Sequence, residues 1–394
     1  MNQKILTVSI AAYNVSKYLD EALEPFTNSM YKDELEVLIV DDGSKDDTAE
    51  IAKRYEERYP NTFKLVKKEN GGWGSTLNKG IEIGTGKYFK QLDGDDYFSH
   101  ENLDDFVLYL KNTNADLIHS PFTTFSDKNG AILRTLSSGW DIPWRKDILI
   151  SEIPLFCPAM HTVTVKLDIL KNNHVTITEK CFYTDVEFVL KVMGFCKTFS
   201  YYELPIYYYR LARNGQSMSI EGVRKNWRDH LKMLSVMLDY EKKNITSERT
   251  KKIFKERLHW VCEWQYIFFF ALNGTKEHKD ALIAFDRELK ENYPNKFIWV
   301  ELGLQTIHES TAKWMNRGYP LEVFDKAVKD LKAINISVIV HIIIGLPGED
   351  QKMLLETIEH LNACAIDGVK LQLLHYLKNT RLGMQYLSNP SQYH

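Results

Sequence analysis

Apolar runs and helical periodicity alternate along the first hundred residues. Ile5–Ala11, Leu35–Val40, Phe63–Val66 and Tyr88–Leu92 are short runs rich in Val, Ile and Leu, and read as strands. Between them Lys17–Thr27, Thr48–Tyr59 and Ser75–Ile83 carry apolar residues at helical spacing. Strands alternating with helices predict βαβ units, a parallel sheet and right-handed crossovers. Ligands of such sheets bind beyond the carboxyl ends of the strands. From about Asn102 to Ile220 the pattern is mixed and aromatic-rich, and Gly222–Trp260 reads as helical. A polar break with a proline, Leu289–Lys296, comes next. Beyond it βα alternation resumes: strand Phe297–Leu304, helix to Ile334, strand Val338–Ile344, helix to Cys364, strand Val369–Tyr376.

Composition narrows the class without choosing a function. The chain has 394 residues, a net charge of -3, 44% hydrophobic and 26% charged residues, as a soluble globular protein does. Disorder and collagen-like repeats are excluded, and the near-zero charge is no nucleic-acid signature. The five cysteines, Cys157, Cys181, Cys196, Cys262 and Cys364, are scattered, with no C-x-x-C pair. That excludes a disulfide scaffold and a sequence-local metal or cluster site. Met1–Lys17 lacks the basic start and apolar core of a signal peptide. The most apolar stretch, Trp260–Leu272, carries Glu263 and is shorter than the roughly 20 residues of a membrane span. The expectation is a cytoplasmic protein. Gly222–Trp260 holds 11 Lys/Arg against 5 Asp/Glu. With the aromatic run after it, this span suits the inner face of an anionic membrane. Its interspersed charges suit helices packed on the rest of the chain somewhat better.

Polar clusters stand at the predicted strand ends. Asp93-Gly94-Asp95-Asp96 follows the fourth strand directly. Carboxylates so close repel unless a cation offsets them, and hard oxygen ligands at a turn suit Mg²⁺ or Mn²⁺. A short acidic run is also an ordinary turn; its place among other strand-end polar groups favours metal. Asp41-Asp42-Gly43-Ser44 ends the second strand, where a carboxylate can accept from a base N–H while Ser44 or Asp47 caps the next helix. Asn70-Gly71-Gly72-Trp73-Gly74 precedes a helix and would let backbone approach a phosphate. It fits neither a Walker A nor a dinucleotide fingerprint.

Taken in order, Val8-Ser9-Ile10…Tyr13-Asn14, Val40-Asp41-Asp42-Gly43-Ser44, Asn70-Gly71-Gly72 with Asn78-x-Gly80, and Asp93-x-Asp95-Asp96 resemble the signature of family 2 glycosyltransferases. The resemblance covers about residues 1–220. It implies a GT-A fold, Rossmann-like, with a nucleotide-binding half (1–100) and an acceptor half (101–220). It implies a nucleotide-diphosphate sugar, such as a UDP-sugar, and a divalent cation. On it, Ala11 and Tyr13 border the nucleobase, Asp41 contacts the base, Asn70 and Gly72 approach the donor, Asp93 lies by the ribose, and Asp95 coordinates the metal. Two positions depart: Ala12 replaces the usual proline, and Leu77 replaces the arginine before the helix asparagine. Phe182-Tyr183-Thr184-Asp185-Val186-Glu187-Phe188 resembles the family's acidic motif, with Thr184 at the first acid. This implies Asp185 as the base of an inverting transfer, with Glu187 the alternative. Arg210 and Arg213 would add positive charge near the diphosphate, and His161 would face the acceptor. The Q-x-x-R-W signature of processive synthases is absent, which favours transfer of single sugars to a glycan or lipid-linked acceptor in cell-surface polysaccharide synthesis. A non-catalytic nucleotide-sugar module is the rival reading, on the departures at Thr184 and Leu77. Self-association is compatible with either.

After the helical extension (221–292), residues 293–394 resemble something else. Val300-Glu301-Leu302-Gly303-Leu304-Gln305-Thr306, Asn316-Arg317-Gly318, His341 through Gly345-Leu346-Pro347-Gly348-Glu349, and Val369–His375 resemble the second half of a radical SAM barrel, YhcC-like. In that family Glu301, Gln305 and Gly345–Glu349 would border the adenosyl cofactor, and cysteines of the first half hold an iron–sulfur cluster. The cysteines of this chain cannot supply that loop, so no functional cluster is expected. A partial βα barrel also leaves open sheet edges, which predicts poor packing or a covering partner. A fusion is the plain explanation of the two halves.

Overall fold

The computed structural model describes residues 4–137, 141–211, 219–272, 274–293, 299–333, 336–378 and 380–388. It divides into two compact units, Met1–Arg287 and Glu288–His394.

In the first unit β1 (Leu6–Ala12), β2 (Leu35–Asp41), β3 (Phe63–Lys67) and β4 (Tyr88–Asp93) form a parallel sheet in the order β3-β2-β1-β4. α1 (Ser16–Asn28), α2 (Thr48–Arg58) and α3 (Trp73–Ile83) make the crossovers. β1 and β2 are buried on both faces, which is why they read as continuous apolar runs rather than alternating ones. Strand order reverses between β1 and β4, the place where sheets of this kind bind ligands, beyond the carboxyl ends. There Ala12 pairs with Asp41 and Ala11 with Asp93, so the motif residues share one edge. At Gly80 of α3 an added Cβ would lie 2.2 Å from Ser9 Oγ, so the helix packs on β1 only with glycine there.

β5 (Tyr97–Phe98) and α4 (Leu103–Asn112) follow the acidic turn. The aromatic-rich region then builds β6 (Leu117–His119), β7 (Phe122–Ser126), β8 (Ile132–Leu136), β9 (Ile148–Leu149), β10 (Val163–Lys166), α5 (Leu167–Asn172), α6 (Asp185–Phe195), β11 (Thr198–Tyr201) and β12 (Tyr207–Leu211). β10, β6, β11 and β9 extend the first sheet beyond β4, and β5-β12-β7-β8 make a second. β4 and β5 lie in different sheets, so Asp93–Asp96 turns the corner between them. The core includes Phe26, Phe63 and Phe98, with Phe26 edge-on to the other two at 6.4 and 5.5 Å. Each ring contributes about 1.5–3 kcal/mol on burial.

The extension is α7 (Ile220–Asn244), α8 (Glu248–Phe270) and α9 (Lys276–Asn292). Ser219 and Ser247 cap the first two through their side chains. α7 and α8 pack together, with His230 Nδ1 to Gln265 Oε1 at 2.8 Å in their interface. Of the aromatic run, Phe268 and Phe269 are buried, and Trp260, Ile267 and Phe270 face outward.

The second unit is a three-stranded parallel sheet, β13 (Trp299–Gln305), β14 (Ser337–Ile344) and β15 (Gly368–Leu373), with α10 (Glu309–Trp314), α11 (Leu321–Ala333), α12 (Gln351–Ala363) and α13 (Arg381–Ser388). It packs better than expected: Leu304, Val338, Val340 and Ile342 bury against Phe324, Val328 and Leu361. Apolar residues stay exposed along β15, at Val369, Leu371 and Leu373, and also at Trp299 of β13, Leu355 of α12 and Leu387 of α13. Among the described residues no helix is long and apolar enough to cross a membrane.

Candidate active site

Each of the motifs has a local structural cause. Asp42, 2% exposed, accepts from the N–H groups of Gly71 and Gly72 at 2.9 and 2.8 Å and pairs with Lys68 at 2.6 Å. It ties the β2 end to the glycine loop. Asp41 beside it is also buried, and its Oδ1 accepts from the Ser44 N–H at 2.9 Å. The side chain expected to cap α2 is neither Ser44 nor Asp47. Asp46 instead accepts from the Thr48 N–H at the start of α2 and from the Ser16 N–H at the start of α1, at 3.1 Å each. Asn14, at φ 53, stitches the β1 loop to the same turn through Lys45 N–H and Ser44 Oγ. Tyr13 next to it is half exposed.

The glycine loop serves packing directly. Gly72 sits at φ 79, and a Cβ on Gly74 would lie 2.3 Å from the Thr178 carbonyl. Asn70 donates to the Asp42 carbonyl at 3.0 Å. Asn78 clamps Ile177 from both sides, donating to its carbonyl at 2.9 Å and accepting from its N–H at 2.7 Å. Lys180 N–H donates to Gly71 O at 2.6 Å. The Asn-Gly-Gly and Asn-x-Gly motifs thus hold the segment that delivers Asp185. That segment turns sharply, with Lys180 and Tyr183 at φ 49 and 65. The Tyr183 ring is anchored on His230 and Phe268 of the extension. Backbone held this way costs about 1–3 kcal/mol per residue and persists where surroundings over-determine it.

The acidic turn is braced from behind. Asp96 is buried; it accepts from the Tyr207 hydroxyl at 2.7 Å and the Arg210 N–H at 2.8 Å. Burial, then the charges of Asp95 and Asp93, push its carboxyl well above the usual range. Asp93 N–H donates to the Tyr207 hydroxyl at 3.1 Å, and its Oδ1 accepts from Trp73 Nε1 at 2.7 Å. Arg210 is spent inside the protein. Its guanidinium meets Glu21, Asp127 at 3.0 Å and the Asp95 carbonyl at 2.6 Å, so it braces the turn. Arg213 lies outside the described residues.

Ligand atoms of Asp93, Asp96 and His161 all fall within 4.8 Å of one another. Asp95 is not one of the three. His161 stacks on Phe122 and touches Tyr207 and Tyr209, and its buried Nδ1 has no hydrogen-bond partner. Burial, with the Lys90 charge, lowers its pKa to about 3, keeping the imidazole neutral. Two carboxylates and a neutral imidazole fit a divalent cation. Lys90, buried in β4, donates to the carbonyls of His161 and Val163 at 2.8 and 3.1 Å, and burial lowers it to about 7.

Asp185 opens α6, with Thr184 at the cap position. Burial raises its pKa; the strongest opposing effect is the charge of Arg257 on α8. Burial raises the Tyr209 phenol, and the charges of Asp96, Asp93, Asp95 and Asp185 add to that rise. The Met160–Thr162 turn packs on α6, and its His161 ring lies 4.4 Å from that of Tyr209. Glu187, the alternative base, is buried, paired with Lys191 at 2.7 Å and accepting from Thr178 N–H. It is structural. Arg257 and Tyr209 are the residues that sequence reasoning missed. Tyr209 was visible in the Tyr-Tyr-Tyr-Arg run; Arg257 gave no signal within a basic helix.

Residues 7–165 match the model of glycosyl transferase family 2. Residues 266–361 match that of the radical SAM superfamily, beginning inside α8. The minor teichoic acid biosynthesis protein GgaB of Bacillus subtilis is 29% identical over 240 residues, 58% of this chain and 26% of that protein. The uncharacterized protein YtqA of the same organism is 40% identical over 107 residues, 27% of this chain and 32% of that one. YhcC of Escherichia coli is 37% identical over 83 residues, 21% of this chain and 27% of that one. The chain thus spans about a quarter to a third of these relatives. Staphylococcus aureus TarS superposes with a TM-score of 0.57 at 20% identity, covering 74% of this chain and 49% of TarS. Residues 1–349 of TarS in complex with UDP-GlcNAc give 0.53 at 19%, covering 70% and 77%. The first unit has the GT-A fold, as the ordered motifs implied, and a radical SAM-like segment follows it. That segment does not fit its family's cluster: of the five cysteines only Cys364 belongs to the second unit.

Proposed function

We propose that this chain is an inverting, metal-dependent glycosyltransferase that moves a sugar from a UDP-sugar to a hydroxyl of a glycan or lipid-linked acceptor. One observation carries the reading: the Met160–Thr162 turn, whose His161 clusters with Asp93 and Asp96, also packs on α6, which Asp185 opens. TarS, whose fold the first unit shares, is described in complex with UDP-GlcNAc, and GgaB is named for teichoic acid synthesis. Both support a nucleotide-sugar donor and a cell-surface acceptor.

In this mechanism Ala11, Tyr13 and Asp41 line the nucleobase end, and the backbone at Asn70–Gly72 lies along the donor. Asp93, Asp96 and His161, with Asp95 alongside, would hold Mg²⁺ or Mn²⁺, which would supply positive charge to offset that of the departing diphosphate. Asp185 accepts the acceptor hydroxyl's proton as its oxygen attacks the anomeric carbon from the opposite face. Its raised pKa makes it a stronger base than an exposed carboxylate, and Arg257 limits that rise. Buried Tyr207 and Arg210 keep the turn in place.

The test is a UDP-release assay with Mn²⁺ over a panel of UDP-sugars. Transfer or hydrolysis with at least one donor is expected, and none across the panel would overturn the reading. A donor that binds without turnover would point to a non-catalytic module instead.

A further inference from the structure

The second unit carries a cluster that neither the transfer reaction nor a radical SAM barrel uses. His360 and Cys364 are four residues apart on one face at the end of α12, and the Cys364 N–H still donates to the His360 carbonyl at 3.1 Å. Helical geometry therefore stacks their side chains one turn apart. Asp325 of α11 reaches the same spot. His360 Nε2 lies 2.7 Å from Asp325 Oδ1, and Cys364 Sγ lies 3.8 Å from that oxygen. All three ligand atoms fall within 4.8 Å of one another, and each residue is only partly buried.

The geometry points to a transition-metal site, Asp325–His360–Cys364, that takes Zn²⁺ with one coordination position open. Zinc bond lengths to Cys, His and carboxylate ligands imply tetrahedral edges of about 3.4–3.6 Å between neighbouring ligand atoms. The separations of 2.7 and 3.8 Å straddle those edges, so small side-chain rotations seat an ion. Thiolate and imidazole select Zn²⁺ over Mg²⁺ or Ca²⁺, which prefer all-oxygen sites. Binding releases the Cys364 thiol proton and leaves His360 neutral, ligating through Nε2. No C-x-x-C spacing announces the site, because its ligands come from two helices brought together by packing on β14.

The test uses the untagged full chain titrated with Co²⁺, whose thiolate ligation gives a charge-transfer absorption in the near ultraviolet, followed by displacement with Zn²⁺. One Co²⁺ per chain with that band is expected, lost in Cys364→Ser and kept in Cys262→Ser. His360→Gln and Asp325→Asn should each weaken Zn²⁺ binding by at least about 10-fold, the least that losing even a supporting group costs. If Cys364→Ser does not fold by circular dichroism, those two variants carry the test. A band that survives Cys364→Ser, no band in the unmodified chain, or unchanged affinity in both other variants would overturn the site. None of these readouts depends on glycosyl transfer.

Discussion

The two units use the same grammar, parallel strands alternating with helices, and end differently. In the first, the strand ends bring together groups from residues 41 to 257, and a buried layer of Asp42, Asp96, Tyr207 and Arg210 holds them. In the second, charged groups on the strands pair with one another, Glu301 meeting His341 at 2.6 Å and Lys370 at 3.3 Å, while Gln305 Oε1 of β13 is buried without a hydrogen bond. Thr306 Oγ1 meets Glu349 at 2.7 Å. Chemistry needs groups left unspent and aimed at one place. His161 Nδ1 and Arg257 Nε, buried without hydrogen bonds, are such groups in the first unit.

The comparison breaks most sharply at Asp185. Asp185→Asn removes the base while leaving the α6 start intact, and kcat should fall by about 10²–10⁴-fold. UDP-sugar binding measured by calorimetry should persist. If transfer survives the substitution, another group takes the proton and the contrast between the units loses its main support.

The bracing layer gives the next largest effect. Asp42→Ala leaves the Gly71 and Gly72 N–H groups without their acceptor and Lys68 without its anion. Loss of one partner from such a buried pair costs roughly 3–5 kcal/mol. Denaturant unfolding followed through Trp73, beside this loop, should report it. Glu301→Gln in the second unit, whose carboxylate is exposed, should change stability far less than this.

What the sequence showed depended on how local each signal was. The β1–β4 order, the acidic turn and the Asp185 segment were legible because each is a short run in a fixed place. The split of roles within a run was not. Asp41 and Asp42 look alike in sequence, and only the fold shows that Asp42 clamps the glycine loop while Asp41 bonds the Ser44 turn. Arg210 looked like a free cation; the packing of β12 against β5 turned it toward Glu21 and Asp127. His161 paired with Asp93 and Asp96 only through contact across 65 residues of chain or more. Arg257 is farther still along the chain from the acidic turn, on a helix where Lys252 and Lys255 face solvent.

Arg257 offers a finer test of the same contrast. Its charge is the strongest effect opposing the rise of the Asp185 pKa. A base must be deprotonated to act, so a raised pKa moves the acid limb of the pH–rate profile upward. The limb for the unmodified chain should therefore lie above the ordinary carboxylate range. Arg257→Gln removes the opposing charge and should move the limb to higher pH, with the rate on the plateau less affected. A limb unmoved, or moved to lower pH, would show that Arg257 does not act on the base.

The smallest expected effect is the removal of the second unit. A chain ending at Tyr293 keeps α9 whole, including Phe285, which packs on Tyr266 and Phe269 of α8. Every donor and acceptor named at the candidate active site comes from residues 11–257, so none is lost. The kcat/KM for a UDP-sugar should be unchanged, and so should the pH profile, because no group that shifts Asp185 lies beyond Arg257. The same truncation removes Asp325, His360 and Cys364, and should abolish the Co²⁺ thiolate band. Transfer kept and metal binding lost in one truncated chain would separate the two chemistries along the boundary that the fold draws. A fall in kcat/KM would mean that the second unit supports the transferase in a way its own paired polar groups do not reveal.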